Sequence, residues 1–463
     1  MGRTVIAEDS LKDGIDSLFG NFRWQTGLLL GQLTEQKDFI VHMARTPDPV
    51  EDEAEIESCQ GDESMPLKQE EKKEKKKQVS SNAEEINEKW IIEHARQVSR
   101  MLPGGIHIIG VYLFGSPDLA NKYQGKLKQC ISAFQKVTER SKALRRFFAH
   151  SERMLLHICA STRKITCRTM SSTDTQMQLK PAEFKYQSFL SKWNSVKCVA
   201  DIDLRFNLPV TSEKSQFESL IFQGLQDQLE DICDSVALIK DSFVEDEELL
   251  FEAQKVGKGK PIKEVSRTAE IDFFACNKCD NADKLERKCS RGVIKFVGKS
   301  YCVAYLHPKA TKGEAIKALK GDIIRSILSR IQLLCEEAEV NNLYQVDDWS
   351  LVSPTRVLAQ FKKTPLYFCD YVFKDEESKE TLERFYDLLN LSITKDSLVY
   401  NEKSPDIEMA AQMSVESGQS SSNEDSPDQV AAESQSEKSN YLLCLIGILV
   451  AVISSLIALL MMG

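Results

Sequence analysis

At 463 residues, with 28% charged side chains and a formal net charge of −10, the chain is long enough for two or three domains and lacks the basic face that nucleic-acid binding needs. The acidity is concentrated in two stretches: residues 401–438 carry nine acids against Lys403 and Lys438, and residues 47–82 carry eleven against six lysines, which leaves the rest nearly neutral. The start, "MGRTVIAEDSLKDGIDSLFG", has no basic segment followed by an apolar one, so it is no secretory leader, and Ile6 stands where a myristoylation signal needs Ser or Thr.

In chain order, "TVIAED" predicts a short strand and "SLKDGIDSLFG" an amphipathic helix. "QTGLLLGQL" and "DFIVHMAR" then predict paired strands around "TEQK". Thr46 to Asn82 breaks all periodicity, running from an acid block to "KKEKKK" with almost no bulky apolar residue; such a stretch cannot bury enough surface to offset chain entropy and is expected to be a disordered insertion. Ile86, Trp90, Ile91, Ala95, Val98 and Leu102 then form a helical stripe that "PGG" ends. "IHIIGVYLFG" is continuously apolar, as befits a central strand covered on both faces. A helix over residues 121–148 follows, and then a hairpin turning at Ser161 to Lys164.

The second half predicts a long helix over residues 212–243, a hairpin over 292–308 with Gly298 and Lys299 at its tip, and a helix over 313–338. "TPLYFCDYVF" and "ESKETLERFYDLLNL" supply a closing strand and helix. No period repeats. The expected fold is therefore mixed α/β (α+β), with one domain over 1–210 interrupted by the 47–82 insertion and a second α/β domain over 211–400. Residues 401–438, rich in Ser and acid, read as a flexible tether. Tyr441 to Met462 are 22 residues without a charge, enough for one transmembrane helix serving as a tail anchor, with the bulk of the chain in the cytosol. In that compartment the thirteen cysteines are expected to be reduced and the sequon at Asn390 unmodified.

Chemistry is sparse. Cys276, Cys279, Cys289 and Cys302 are the one set that could hold zinc, but a zinc ribbon wants two close pairs, and Cys302 lies in an apparent strand. His150, His157 and His307 belong to no recognisable motif, and no metalloprotease, nucleophile-elbow or phosphate-loop signature occurs. No catalytic, cofactor-binding or metal residue is assigned, and no cofactor is expected. A hydrolase built on an unrecognised Cys and His pair, and a structural zinc protein, remain the alternatives.

Around "GIHIIGVYLFGSPDL" the order of strands and helices resembles the MPN fold of metallo-isopeptidases and their inactive relatives. Active members carry a "G-x-x-H-S-H-P" stretch there; here Leu113, Phe114 and Gly115 stand in its place, and none can ligate zinc. Taken whole, "RWQTGLLLGQL", "GGIHIIGVYLFG", "ALKGDIIRSILSRIQLL" and the acidic tether before a terminal anchor resemble the odorant-response-abnormal family of receptor-localisation factors, in its fourth-member branch. That resemblance implies a non-enzymatic adaptor of the endoplasmic reticulum membrane. Its implied partners are a subset of G-protein-coupled receptors, as clients, and the ufmylation-specific cysteine protease.

Overall fold

A computed structural model describes residues 3–402 apart from 21–22, 36, 49–85, 139–140, 148–151, 172–177, 210–218, 220, 252–266, 275–289 and 343–348. Residues 1–405 form one compact unit and 406–463 another, the latter outside the described residues. The expected insertion beyond Asp48, the tether beyond Glu402 and the apolar run at 441–462 also lie outside them. Among the described residues no helix is long and apolar enough to cross a membrane.

The chain opens with β1 (Thr4–Ala7), α1 (Ser10–Leu18), β2 (Gln25–Leu33), β3 (Lys37–Arg45), α2 (Glu88–Arg100), β4 (His107–Gly115) and α3 (Pro117–Thr138). There follow the short α4 (Lys142–Arg145), β5 (Glu152–Cys159), β6 (Ile165–Ser171), β7 (Lys180–Tyr186), β8 (Asn194–Pro209), α5 (Gln226–Asp234), β9 (Val236–Ile239), β10 (Ser242–Phe243) and β11 (Thr268–Phe274). The remainder is β12 (Ser290–Leu306), α6 (Lys312–Val340), β13 (Trp349–Val352), β14 (Thr355–Gln360), β15 (Tyr367–Val372), α7 (Ser378–Leu389) and β16 (Leu398–Tyr400).

Strands β1 to β7 close into a barrel in the order β1-β3-β2-β4-β5-β6-β7. β4 lies between β2, antiparallel, and β5, parallel; α3 makes the crossover that a parallel pair requires. Its continuous apolar run is explained by two-sided burial: Val111 and Leu113 join one core cluster, with α2 and α3, while Ile109, Tyr112 and Phe114 join another, with Leu11 and Ile15 of α1. α2 begins where Asn87 caps it, the side chain accepting from the Trp90 backbone N–H, a contact worth about 1 kcal/mol. After α2 the chain turns through Gly105 at φ +75°, a conformation that L side chains rarely adopt.

A second sheet runs β10-β9-β11-β8-β12-β13, and a third β15-β14-β16. The expected hairpin at 292–308 is corrected: β12 is one continuous strand, antiparallel to β8 from Ser290 opposite Pro209 to Leu306 opposite Asn194. Gly298 sits within it at φ +141° instead of at a turn, because β8 is long enough to pair with the whole run. The boundary expected at 210 thus falls just after a strand whose partner lies beyond it. The expected long helix at 212–243 is also corrected. Within its described part α5 stops at Asp234, and β9 and β10 form a hairpin whose two-residue turn places Lys240 and Asp241 at φ +52° and +58°.

Among the described residues α6 is the longest helix, started by a capping box in which Thr311 and Glu314 satisfy each other's backbone N–H. It is buried on nearly all sides. α7 packs its C-terminal end through two histidines, His42 of β3 and His94 of α2. His42 Nε2 donates to the Leu389 carbonyl at 2.6 Å and His94 Nε2 to the Leu388 carbonyl at 2.9 Å. Asn390, left-handed at φ +53°, accepts from the Arg45 N–H at 2.5 Å. The sequon asparagine is therefore a helix cap bonded to β3.

Candidate interaction surface

The residues expected to reveal chemistry are mostly in the core. Leu113 and Phe114 are buried on opposite faces of β4, and hydrocarbon has no lone pair to offer a cation. The next residue but one, Ser116, is spent on structure: its hydroxyl accepts from the Leu119 N–H at the start of α3. Cys276, Cys279, Cys289 and His150 lie outside the described residues. Cys302 is fully buried in β12, opposite Cys198, and its thiol is held well above the ordinary range by its hydrogen bond to Cys198 and by burial. Among the described residues no cluster of three metal-ligating side chains occurs.

His157 and Cys159, two apart on β5, are the nearest approach to a nucleophile and base. Burial pushes the Cys159 thiol up, but hydrogen bonds with Ser161 and Thr162 outweigh it and draw the thiol down to about 7. Its sulfur lies 3.3 Å from Ser161 Oγ. His157 is turned to the backbone: Nε2 lies 3.4 Å from the Gly115 carbonyl, and burial followed by the charge of Arg168 lowers its affinity for a proton. A general base of a thiol needs the opposite neighbour, a carboxylate that orients and stabilises the imidazolium. His307 stacks on Phe39, ring centroids 6.2 Å apart.

The strongest electrostatics are internal. Arg356 and Asp322 form a bidentate pair at 2.7 and 2.9 Å with both side chains buried, and Asp322 also accepts from the Val303 N–H. Burial opposes the Arg356 charge, but Asp322 first, together with Cys369 and Tyr371, outweighs it and holds the guanidinium above its ordinary value. Arg330 grips both oxygens of Glu402 at 2.7 Å. That carboxylate further accepts from the backbone N–H groups of Tyr301 and Arg356, each at 2.8 Å, and from Ser300 Oγ at 3.3 Å. Arg325 donates to the carbonyls of Leu102, Pro103 and Ile106. Asp322, Arg325 and Arg330 all come from α6, which joins the barrel, β12 and β14 through bonds that hydrocarbon could not make. These groups are occupied by the protein itself and act as scaffold.

What the sequence does not reveal is an outward apolar cluster on the second sheet. Phe274 of β11 stands opposite Val236 of β9, and Phe243 of β10 opposite Leu238. Phe243 is 83% exposed, Phe274 58% and Val236 47%. Ala269 and Ile271 point to the core, so alternation sends Phe274 away from it. Val199 of β8, 58% exposed, lies on that outer side too, since Val196 and Cys198 face inward. The doublet Phe273-Phe274 was the available signal: two neighbours on a strand cannot both face one core. Large side chains gathered at one place on a surface mark a contact site more often than scattered ones do.

The fold and this surface define a mixed α/β body whose buried charges serve packing and whose outer sheet face offers apolar side chains. The chain belongs to the ODR4-like family, odorant response abnormal 4-like, whose model matches residues 27–400. It is 30% identical over 440 residues to the human "Protein odr-4 homolog", covering 93% of this chain and 92% of that one. The chicken homologue of the same name is 31% identical over 399 residues, 84% of each chain, and that of Dictyostelium discoideum 24% identical over 400 residues, 82% of this chain and 78% of that one. Among solved structures, that of UfSP from C. elegans aligns with a TM-score of 0.40 at 8% identity, over 85% of this chain and 58% of that one.

Proposed function

We propose that the chain is a non-enzymatic adaptor with an inactive MPN-like body, moored in the endoplasmic reticulum membrane by residues 441–462 and facing the cytosol. It helps to localise a subset of G-protein-coupled receptors and recruits the ufmylation-specific cysteine protease to the membrane. Membership of the ODR4-like family over residues 27–400 is the observation that carries this reading. The anchor rests on the 22 uncharged residues from Tyr441 to Met462, sufficient for a hydrocarbon core of about 30 Å. Phe243, Phe274 and Val236 give the adaptor a surface by which to be tested.

The test is co-precipitation from cells expressing the full chain, as wild type and with Phe243→Asp and Phe274→Asp together. Both side chains point outward, so the double variant should fold normally and lose the protease. Undiminished recovery by a folded variant would place the docking surface elsewhere. Failure of the wild-type chain to recover the protease would remove that partner, and unaltered receptor delivery in cells lacking the chain would remove the clients.

A further inference from the structure

The ladder between β8 and β12 sets Cys198 directly opposite Cys302, and both side chains enter the same core cluster beneath α6. Facing residues of an antiparallel pair have Cα atoms about 4.5 or 5.5 Å apart, according to whether they exchange hydrogen bonds. A disulfide spans Cα separations of about 4.4 to 6.8 Å. The ladder therefore holds the two Cα atoms within the range that a disulfide spans. Among the described residues no other two cysteines are cross-strand partners: Cys167 faces Leu156 and Ala182, Cys159 faces Gly115, and Cys369 faces Leu358.

The two members of the pair are not equivalent. Cys198 retains 9% exposure and Cys302 none, so an agent arriving from solvent meets Cys198 first. The Cys302 sulfur lies 3.8 Å from Ser300 Oγ, and the neighbouring Cys198 and burial hold its thiol well above the ordinary range. It keeps its proton and reacts poorly with a diffusing oxidant, but it needs only to meet an electrophilic sulfur already beside it.

We propose that Cys198 and Cys302 form a reversible redox pair, oxidised by hydrogen peroxide to a disulfide that staples β8 to β12. In the first step the Cys198 sulfur attacks a peroxide oxygen; the S–O bond forms, the O–O bond breaks, and the sulfenic acid and one water result. In the second the Cys302 sulfur attacks that sulfur; the S–S bond forms, the S–O bond breaks, and the Cys302 proton leaves with the hydroxide as a second water. Two thiols lose two electrons and one peroxide becomes two waters. A dithiol reductant reverses the change by exchange. The staple closes a loop of about 100 residues, the long-loop case in which a cross-link restricts the unfolded chain most. Ser300, which neighbours Cys302, also touches Glu402 and Arg330, so the staple forms next to the buried pair where the described chain ends.

Full-length protein, freshly reduced, is exposed to graded hydrogen peroxide, quenched with N-ethylmaleimide while folded, and digested without reduction for peptide mapping. The expected product is a Cys198–Cys302 linked peptide pair that dithiothreitol abolishes. Peroxide should also raise the thermal unfolding midpoint in wild type but not in Cys198→Ser. In Cys302→Ala the Cys198 sulfenic acid has no partner and should be trapped by dimedone. Cys159 is the internal comparator, since its thiol is drawn down to about 7 and faces no cysteine. If Cys159 is fully oxidised while Cys198 and Cys302 stay unlinked, or if the linked pair appears only after denaturation, the proposal is overturned.

Discussion

Protonation of His42 on β3 and His94 on α2 should unfasten the end of α7. Each ring gives its Nε2–H to a carbonyl in the last turn of the helix, so in the neutral form the proton sits on Nε2 and Nδ1 is bare. His94 Nδ1 accepts from Thr46 Oγ1 at 3.1 Å, and His42 Nδ1 is buried with no hydrogen-bond partner. Burial lowers both from an ordinary 6.5 to about 4, the hydrogen bonds to Leu388 and Leu389 opposing it and Lys362 adding to it at His42. Between those values the unfolded chain binds more protons than the folded one, so this stability is complete above pH 6.5 and is lost as pH falls toward 4. At pH 5 the loss is about 2 kcal/mol for each ring, or roughly 4 kcal/mol together. Urea unfolding at pH 7.5 and pH 5 measures it, with the double variant His42→Gln, His94→Gln as control; glutamine keeps an N–H donor and cannot titrate. Other groups titrate alike in both proteins, so wild type should lose about 4 kcal/mol more than the variant over that range. Losses agreeing to within about 1 kcal/mol would refute the reasoning that buried, neutral imidazoles hold the helix end.

Arg330→Met keeps most of the side-chain volume but leaves Glu402 buried and unpaired; stability at pH 7.5 should fall by about 3–5 kcal/mol in denaturant titration. The same titration on Lys379→Ala, whose partner Glu383 is an exposed neighbour one turn on, should detect a loss of no more than about 0.5 kcal/mol. Leu449→Arg places a charge near the middle of the apolar run, at a cost of about 2.5–3.5 kcal/mol on insertion scales, and should shift the full chain toward the soluble fraction after carbonate extraction. Unchanged membrane yield would count against a spanning helix there.

Much of the barrel was legible because its signals are local. The alternation in "DFIVHMAR", the stripe from Ile86 to Leu102 and the unbroken apolar run of β4 each name their element without reference to the rest of the chain. The second sheet was less so. "GVIKFVGKSYCVAYLHP" carries a glycine where a hairpin would turn, and only the length of β8, far away in sequence, decides that the strand runs straight through Gly298. α5 stops early for a reason of the same kind, since β9 pairs with β11 and the pairing outweighs a helix-like pattern. The placement of Cys302 in a strand could be read directly. Outward-facing Phe243 and Phe274 could not, because exposure depends on which face of the sheet α6 covers.

Glu402 is the last described residue, and the short strand before it, β16, lies at the edge of its sheet with a three-residue ladder to β14. Any pull on the chain beyond this point meets that ladder end-on, where hydrogen bonds are strained one after another as in a zipper. A three-residue zipper resists little. The carboxylate grip of Arg330 and the two backbone N–H groups lies between the load and the strand, so force entering the body is delivered first to α6 and through it to the barrel and both sheets. Mechanical failure should therefore begin with the rupture of that ion pair, and only then does the three-residue ladder of β16 peel from β14.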